Sequence, residues 1–349
     1  MPDRLPAVAR RLDREDEARG LLEAGVYAYC ATGAGLEETL RANVEAWREW
    51  WLRPRGLRDV SEVDLRTTVL GVEVSSPVMV APTAFHRLAH PDGEVATAQA
   101  AGDAGALYVL STRATVTLED VTAVAGPWWL QVYVLRDRGV TAEVVRRAVE
   151  AGARALVLTV DTPVVGSKRR DTDFDLTGLD TLVPALAAER DDDGLSQAPD
   201  VTYDDIAWLR ELSGGLPVAV KGVVRADDAR AAVDAGASAV WVSNHGGRQL
   251  DGCVPTATAL PEVVEEVADD AEVYVDGGIR HGRDVLRALA LGARAVAVGR
   301  PVLWSLTADG GPGVRDLLTD FAADLVETMQ LAGVRSPAEA TRDLVMARR

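Results

Sequence analysis

Only two cysteines, Cys30 and Cys253, occur in 349 residues. That is too few for a disulfide framework and leaves no CxxC metal motif, so no metal is expected. No run of about 18 apolar residues is present to span a bilayer. The opening MPDRLPAVARRLDREDEARG lacks the apolar core of a secretory signal, and the closing MARR is not an SKL-type address. A soluble cytoplasmic protein is the expectation. Positive charge is short as well: 37 Lys+Arg against 54 Asp+Glu leave a net charge of −17. Nucleic acid and anionic membranes are therefore poor partners, and an anionic small molecule would need a local basic pocket. Aromatics are scarce at 5%, yet 48% of residues are hydrophobic. Ala, Val and Leu must build a large core, which a disordered chain could not supply.

What is present is a rhythm. Short β-branched runs alternate with Ala-rich helical stretches. The candidate strands are Pro77–Ala81, Leu107–Ser111, Trp129–Val134, Ala155–Asp161, Pro217–Val223, Ala239–His245, Val273–Gly277 and Ala295–Gly299. They read as continuous apolar runs, as parallel strands covered on both faces do. Gly-Ala pairs at Gly152, Gly236 and Gly292 close the intervening helices, glycine taking the left-handed conformation without a Cβ clash. Eight βα units in order predict a (β/α)8 TIM barrel. The competing doubly wound sheet would want a GxGxxG loop after its first strand, and none is there. One domain over 1–349 is expected: a helical extension at 1–76, the barrel at 77–335 and a tail at 336–349. Trp47, Trp50 and Trp51 are expected to pack the extension onto the barrel. Between the fourth strand and its helix lies a long loop, 162–216, with the polar centre AAERDDDGLSQAPD. It reads as a lid over the barrel mouth or as a disordered insertion.

In such barrels the active site lies at the C-terminal ends of the strands. Here those ends carry Pro82, Thr83 and Ala84; Ser111 and Arg113; Gln131 and Tyr133; Thr159 and Asp161; Lys221; Ser243 to Arg248; Asp276 to Arg280; and Gly299 with Arg300. Polar groups are costly to bury unless paired or ligand-bound, so their convergence predicts a site. Gly277, Gly278 and Gly299 with Arg280 and Arg300 suggest a phosphate sub-site, because a guanidinium fork matches phosphate oxygens. His245 is the best acid–base candidate among four histidines. It ends a strand, and glycines follow it. His86, His90 and His281 read as structural or surface residues. Asp161 would orient the His245 ring, and Arg248 would hold a carboxylate. Lys221, inside an apolar strand, requires an anionic partner; it is either a Schiff-base lysine or a cation beside an anionic cofactor.

Together these residues resemble the FMN-dependent L-2-hydroxy acid oxidases and dehydrogenases, from about Tyr27 to Ser336. The carrying motifs are SNHGGRQLDG at 243–252, APTAFHRLAHPDGE at 81–94, QVYV at 131–134, LTVDTP at 158–163, VKGV at 220–223 and VDGGIRHGRDVLRALALGA at 275–293. The resemblance implies FMN in the barrel mouth. Pro82, Thr83 and Ala84 would face flavin N5, and Ser111, Gln131 and Thr159 would bond the ring. Lys221 would sit by N1 and O2, with Ser243 near the ribityl chain or ring. Asp276, Gly277, Gly278, Arg280, Gly299 and Arg300 would hold ribityl and phosphate. Tyr29 and Arg248 would bind the substrate carboxylate, Tyr133 would lie near its hydroxyl, and His245 would be the base with Asp161 as partner. His245 takes either the Cα proton or the hydroxyl proton. A 2-oxo acid, hydrogen peroxide from dioxygen, and a homotetramer or larger homo-oligomer are expected.

Two positions depart from the family pattern. Lys168 stands where an arginine near the substrate is usual, keeping charge and losing the fork. Arg113 stands where relatives carry tryptophan or small apolar residues; it points inward, toward a polar or dicarboxylic substrate, or outward as a surface charge. Relatives with other electron acceptors carry a haem domain or a membrane-binding insertion near 171–202, where this chain is short and acidic. A soluble oxidase is therefore favoured, with a protein electron acceptor or a decarboxylating monooxygenase left open. Two other classes stay open: a phosphosugar aldolase or isomerase using Lys221, and a flavin-binding protein with a disabled pocket.

Overall fold

A computed structural model describes residues 12–170, 174–175, 181–183 and 192–348. Eight parallel strands close on themselves: β1 (Val78–Val80), β2 (Tyr108–Ser111), β3 (Trp128–Val132), β4 (Leu156–Thr159), β5 (Val218–Val223), β6 (Ala239–Val242), β7 (Glu272–Val275) and β8 (Ala295–Val298). Closure is made where Val296, Ala297 and Val298 of β8 pair with Val78, Met79 and Val80 of β1. Each strand lies within three residues of its expected bounds. A helix follows each in turn: α4 (Gly93–Asp103), α5 (Leu118–Thr122), α6 (Arg138–Glu150), α7 (Asp204–Leu212), α8 (Ala226–Asp234), α9 (Thr256–Val267), α10 (Gly282–Ala290) and α11 (Arg300–Ala332). Before them come α1 (Glu15–Leu21), α2 (Ala24–Ala31) and α3 (Glu38–Ala46). Among the described residues no helix is long and apolar enough to cross a membrane.

Local chemistry explains the elements. Asp137 caps α6, its carboxylate accepting the Gly139 and Val140 amides at 2.8 and 3.2 Å. In α9, Ala257, Leu260, Val263 and Val267 recur at helical spacing and are buried. Strand side chains alternate. Tyr108, Leu110, Leu130, Val132, Leu156 and Leu158 face the helices, while Val109, Trp129, Val157, Ala219, Trp241, Tyr274 and Ala297 fill the barrel. Three large rings among alanines make that interior a packed floor rather than a pore.

The extension is only partly helical, which corrects the expectation for 1–76. Trp50–Leu52 forms a strand paired antiparallel with Val345–Ala347 of the C-terminal segment. Thr67–Val69 and Val72–Val74 form a hairpin, and its Val69 and Val74 join the barrel-interior cluster and close the N-terminal end. Strands of three residues are too short to show a period. Trp47 is fully buried, and its indole N–H donates to the Gly277 carbonyl at 2.8 Å. Trp50 donates to the Ala257 carbonyl at 3.2 Å, whereas Trp51 is exposed. Of the long loop, 171–173, 176–180 and 184–191 lie outside the described residues.

Candidate active site

The period of two builds the site. One inward position above the apolar floor, the same strands present Ser111, Gln131, Thr159, Lys221, Ser243 and Asp276. These polar groups pair. The Gln131 amide donates to Thr159 Oγ1 at 3.1 Å and accepts from Ser111 Oγ at 3.2 Å. Lys221 Nζ donates to Ser243 Oγ at 2.9 Å and lies 3.2 Å from Asp276 Oδ2. Ser243 in turn donates to Asp276 Oδ1 at 2.8 Å. The anionic partner that Lys221 requires is thus Asp276, and the lysine is an ion-paired ammonium rather than a free amine nucleophile.

Above this ring is a cavity of about 460 Å³. Its wall includes Tyr29, Pro82, Thr83, Ala84, Ser111, Arg113, Tyr133, Lys168, Lys221, His245, Arg248, Asp276, Gly277, Gly278, Arg280, Gly299 and Arg300, all expected there. Gln131, Ser243 and Asp161 stand behind the wall, bonded to Ser111, Lys221 and His245 on it, and Thr159 stands behind Gln131. Thr162, Val165, Lys168 and Gln197 of the long loop also line the cavity, so its described parts do sit over the mouth. Among the described residues no cluster of His, Cys, Asp and Glu is set to hold a metal ion.

His245 adopts a left-handed backbone, φ 58°, ahead of Gly246 and Gly247. Such strain in a non-glycine residue needs support from its surroundings. Its Nδ1 lies 2.9 Å from Asp161 Oδ1, and the Tyr133 hydroxyl lies 3.5 Å from its Nε2. With Nδ1–H donated to the carboxylate, the lone pair sits on Nε2, on the cavity side. Burial pushes the Asp161 carboxyl up, but His245, Lys221 and the Thr162 hydroxyl outweigh it and hold the carboxyl below its ordinary value. Burial, with the Asp161 charge, pushes the Tyr133 phenol far above its ordinary value, so it stays a hydroxyl. Gly222 permits this arrangement. It sits at φ 108° in a β-bulge of β5, where a Cβ would fall 2.7 Å from Asp161 Cβ and Cγ. Sequence reading missed it, although its place beside Lys221 in VKGV was the available signal.

The extension locks the His245 turn. Asn43 of α3 and Asn244 exchange amide hydrogen bonds, both 2.8 Å. Gly278 carries a duty beyond ligand approach, because a Cβ there would meet the Asn43 carbonyl at 2.0 Å. Arg300 likewise does more than expected. Its Nε, Nη1 and Nη2 donate to the carbonyls of Cys30, Gly246 and Thr32 at 3.1, 3.0 and 3.2 Å. It staples the extension to the His245 turn and keeps two of its five N–H groups. Burial, with the Arg248 and Arg280 charges, pulls it down to about 9. Arg248 donates to the Tyr29 and Thr32 carbonyls at 2.6 and 2.9 Å and stacks on the Tyr29 ring at 4.9 Å.

Lys168 lies on the cavity wall, near the substrate space where the sequence put it. Its ammonium is turned onto the carbonyls of Gly166 and Arg248, so it braces Arg248 from behind. Burial and the charges of Arg248 and Arg300 pull it down to about 8. Arg113 points inward: it lines the cavity and donates to the Leu195 carbonyl at 3.2 Å. Phe85 was missed. It lies on the wall at φ 60° and forms an aromatic trio with Tyr29 and Phe174, with ring centres 4.6–6.0 Å apart. His86 is buried between Thr83 and Thr97, a structural residue as expected.

Comparison with known proteins agrees with this geometry. The model of the FMN-dependent dehydrogenase family matches residues 18–347. The chain is 42% identical to human (Homo sapiens) 2-hydroxyacid oxidase 1 over 361 aligned positions, covering 98% of this chain and 97% of that protein. It is 44% identical to 4-hydroxymandelate oxidase of Amycolatopsis orientalis, covering 95% and 96%. The L-lactate oxidase of Nostoc is also 44% identical, covering 91% and 93%. The solved structure of mandelate oxidase with (S)-4-hydroxymandelic acid superposes with a TM-score of 0.89 at 43% identity, covering 96% of this chain and 98% of that one. The chain belongs to the FMN-dependent dehydrogenase family, alongside the 2-hydroxy acid oxidases.

Proposed function

We propose that the protein oxidises an L-2-hydroxy acid to the 2-oxo acid, with FMN as cofactor and dioxygen as acceptor, giving hydrogen peroxide. The observation that carries this reading is His245, fixed through Nδ1 by Asp161 with Nε2 beside the Tyr133 hydroxyl in a cation-lined cavity. The residues present suit FMN. Arg280 is partly buried on the cavity wall; its guanidinium donates only to the Ile279 carbonyl among the described residues and pairs with no carboxylate there, Asp284 being bonded by the Arg280 backbone N–H instead. A cation so placed calls for an anion such as a phosphate. Arg280, the two remaining N–H groups of Arg300, Asp276, Gly277, Gly278 and Gly299 would hold ribityl and phosphate. Pro82, Thr83, Ala84, Ser111, Gln131, Thr159, Lys221 and Ser243 would hold the ring system.

FMN held there would supply the two-electron redox chemistry between substrate and dioxygen. The chain's own groups do the rest. Arg248 and the Tyr29 hydroxyl orient the carboxylate. Tyr133 positions the substrate hydroxyl, and Nε2 of His245 takes up a proton. Asp161 stabilises the imidazolium that results. The substrate loses two protons and two electrons in all, and dioxygen gains both. A cytoplasmic homotetramer or larger homo-oligomer, with no nucleic-acid partner, belongs to the same proposal; sedimentation of the holoenzyme tests the assembly.

The deciding experiment adds 2-hydroxy acids anaerobically to the yellow holoenzyme and then readmits air. Bleaching followed by stoichiometric peroxide is expected. If no acid in a panel of aliphatic, aromatic and dicarboxylic compounds bleaches the flavin, the reading is wrong. Bleaching without peroxide would indicate a different acceptor, and a decarboxylated acid in place of peroxide would indicate a monooxygenase.

A further inference from the structure

The cavity holds more positive charge than the chain neutralises. Lys221 is answered by Asp276. Lys168 and three of the five N–H groups of Arg300 are spent on carbonyls. Arg280 and the rest of Arg300 suit a phosphate, and Arg248 suits the carboxylate beside the oxidised carbon. Arg113 remains. Among the described residues it meets no carboxylate, and its guanidinium makes one hydrogen bond, from Nη2 to the Leu195 carbonyl. A guanidinium on a cavity wall with most of its N–H groups unspent is a costly arrangement unless an anion completes it.

Two further observations place that anion in the substrate space. Burial raises both the Tyr29 and Tyr133 phenols, and the Arg113 charge draws both back down. Tyr29, Tyr133 and Arg113 line the same cavity. Gln197, two residues beyond Leu195, also lines the cavity, and its Oε1 is buried with no hydrogen-bond partner. An amide side chain can be turned about without changing its shape, which would set Nε2 in that buried position instead.

We propose that Arg113 and Gln197 form a distal anion subsite, and that the preferred substrates are 2-hydroxy acids with a second carboxylate remote from the oxidised carbon. This rests on the oxidase reading above and specifies its substrate class. The aromatic trio of Tyr29, Phe85 and Phe174 supports the competing class, aryl hydroxy acids. An alternative duty for Arg113 is that of a strut holding Leu195.

The test compares near-isosteric pairs on the holoenzyme: L-2-hydroxyglutarate against L-2-hydroxyhexanoate, and L-malate against L-2-hydroxypentanoate, with (S)-mandelate alongside. The dicarboxylate should win by about tenfold or more in kcat/KM, chiefly through KM, as one charge-assisted pair would give. Arg113→Met should collapse that ratio toward one, Arg113→Lys should restore part of it, and Gln197→Leu should lower it. Binding gives an independent readout: 2-oxoglutarate should perturb the flavin spectrum at a lower concentration than 2-oxohexanoate, and Arg113→Met should erase the difference. The proposal is overturned if the monocarboxylates or mandelate turn over as well as the dicarboxylates. It is also overturned if Arg113→Met lowers both members of a pair equally, which is the signature of a strut. If no acid of any class bleaches the flavin, the parent reading has failed and this one with it. Should Arg113→Met not fold, the wild-type ratios and Gln197→Leu still decide.

Discussion

Replacing Asp161 by asparagine removes a charge and little else. The amide is nearly isosteric, and its oxygen can still accept the Nδ1–H of His245 across 2.9 Å. What disappears is the attraction between carboxylate and imidazolium once Nε2 has taken a proton. Both side chains are largely shielded, 12% and 22% exposed, so an effective dielectric of about 20 applies and the attraction is roughly 3–5 kcal/mol. At about 1.4 kcal/mol per decade, flavin reduction should slow by roughly a hundred- to several-thousand-fold. The assay is anaerobic stopped-flow of flavin bleaching under saturating substrate. Retention of yellow colour shows that the barrel is intact, and binding of a 2-oxo acid shows that the pocket is. A reduction rate within about threefold of wild type would refute the pairing of Asp161 with a proton-accepting His245.

Gly222→Ala should mimic that loss from a distance. It forces a Cβ onto Asp161 at a φ of 108°, costing about 2–4 kcal/mol of stability by thermal melting and slowing flavin reduction disproportionately. A stable, fully active variant would remove Gly222 from the argument. Asn43→Ala breaks the reciprocal amide pair with Asn244 and should cost about 1–3 kcal/mol, because one buried Asn244 N–H loses its acceptor while the Val254 carbonyl and the Gly247 N–H keep the rest of that amide paired; an unchanged melting temperature would contradict this. Acid should destabilise the fold partly through Asp161. Its carboxyl is held below its ordinary value in the folded state, so it stabilises above the unfolded value near pH ~4 and loses that contribution as pH falls through the folded one. Melting of wild type and Asp161→Asn between neutral and acid pH should converge at the acid end, and parallel curves would refute the linkage.

Much of this was legible beforehand, for reasons visible in particular residues. The barrel strands announce themselves as uninterrupted apolar runs because both faces are covered. The site residues follow from the same runs, since Ser111, Gln131, Thr159 and Lys221 sit one inward step above buried residues. Illegible were the contacts that join distant segments. No periodicity reveals that Arg300 bonds carbonyls 270 and 268 residues earlier, or that Gly278 yields to Asn43. The three-residue strands at 50–52, 67–69 and 72–74 are too short to pattern. The direction of Arg113 depends on where Leu195 lies, and so on a loop rather than on its own strand.

The pairing of Trp50–Leu52 with Val345–Ala347 bears on the order of assembly. A strand made early has no partner until almost the whole chain has been synthesised. The segment just before it supplies Tyr29 and Asn43, and Asn43 seats against Asn244, Thr256 and Gly278, which follow β6 and β7 and emerge much later. Contacts of such separation form late, because the intervening loop must be ordered first. The barrel wall can therefore be built while the substrate end of its mouth is still open. Completion of the site is thus predicted to be a late step of folding, when the segment that carries Tyr29 and Asn43 docks on the barrel.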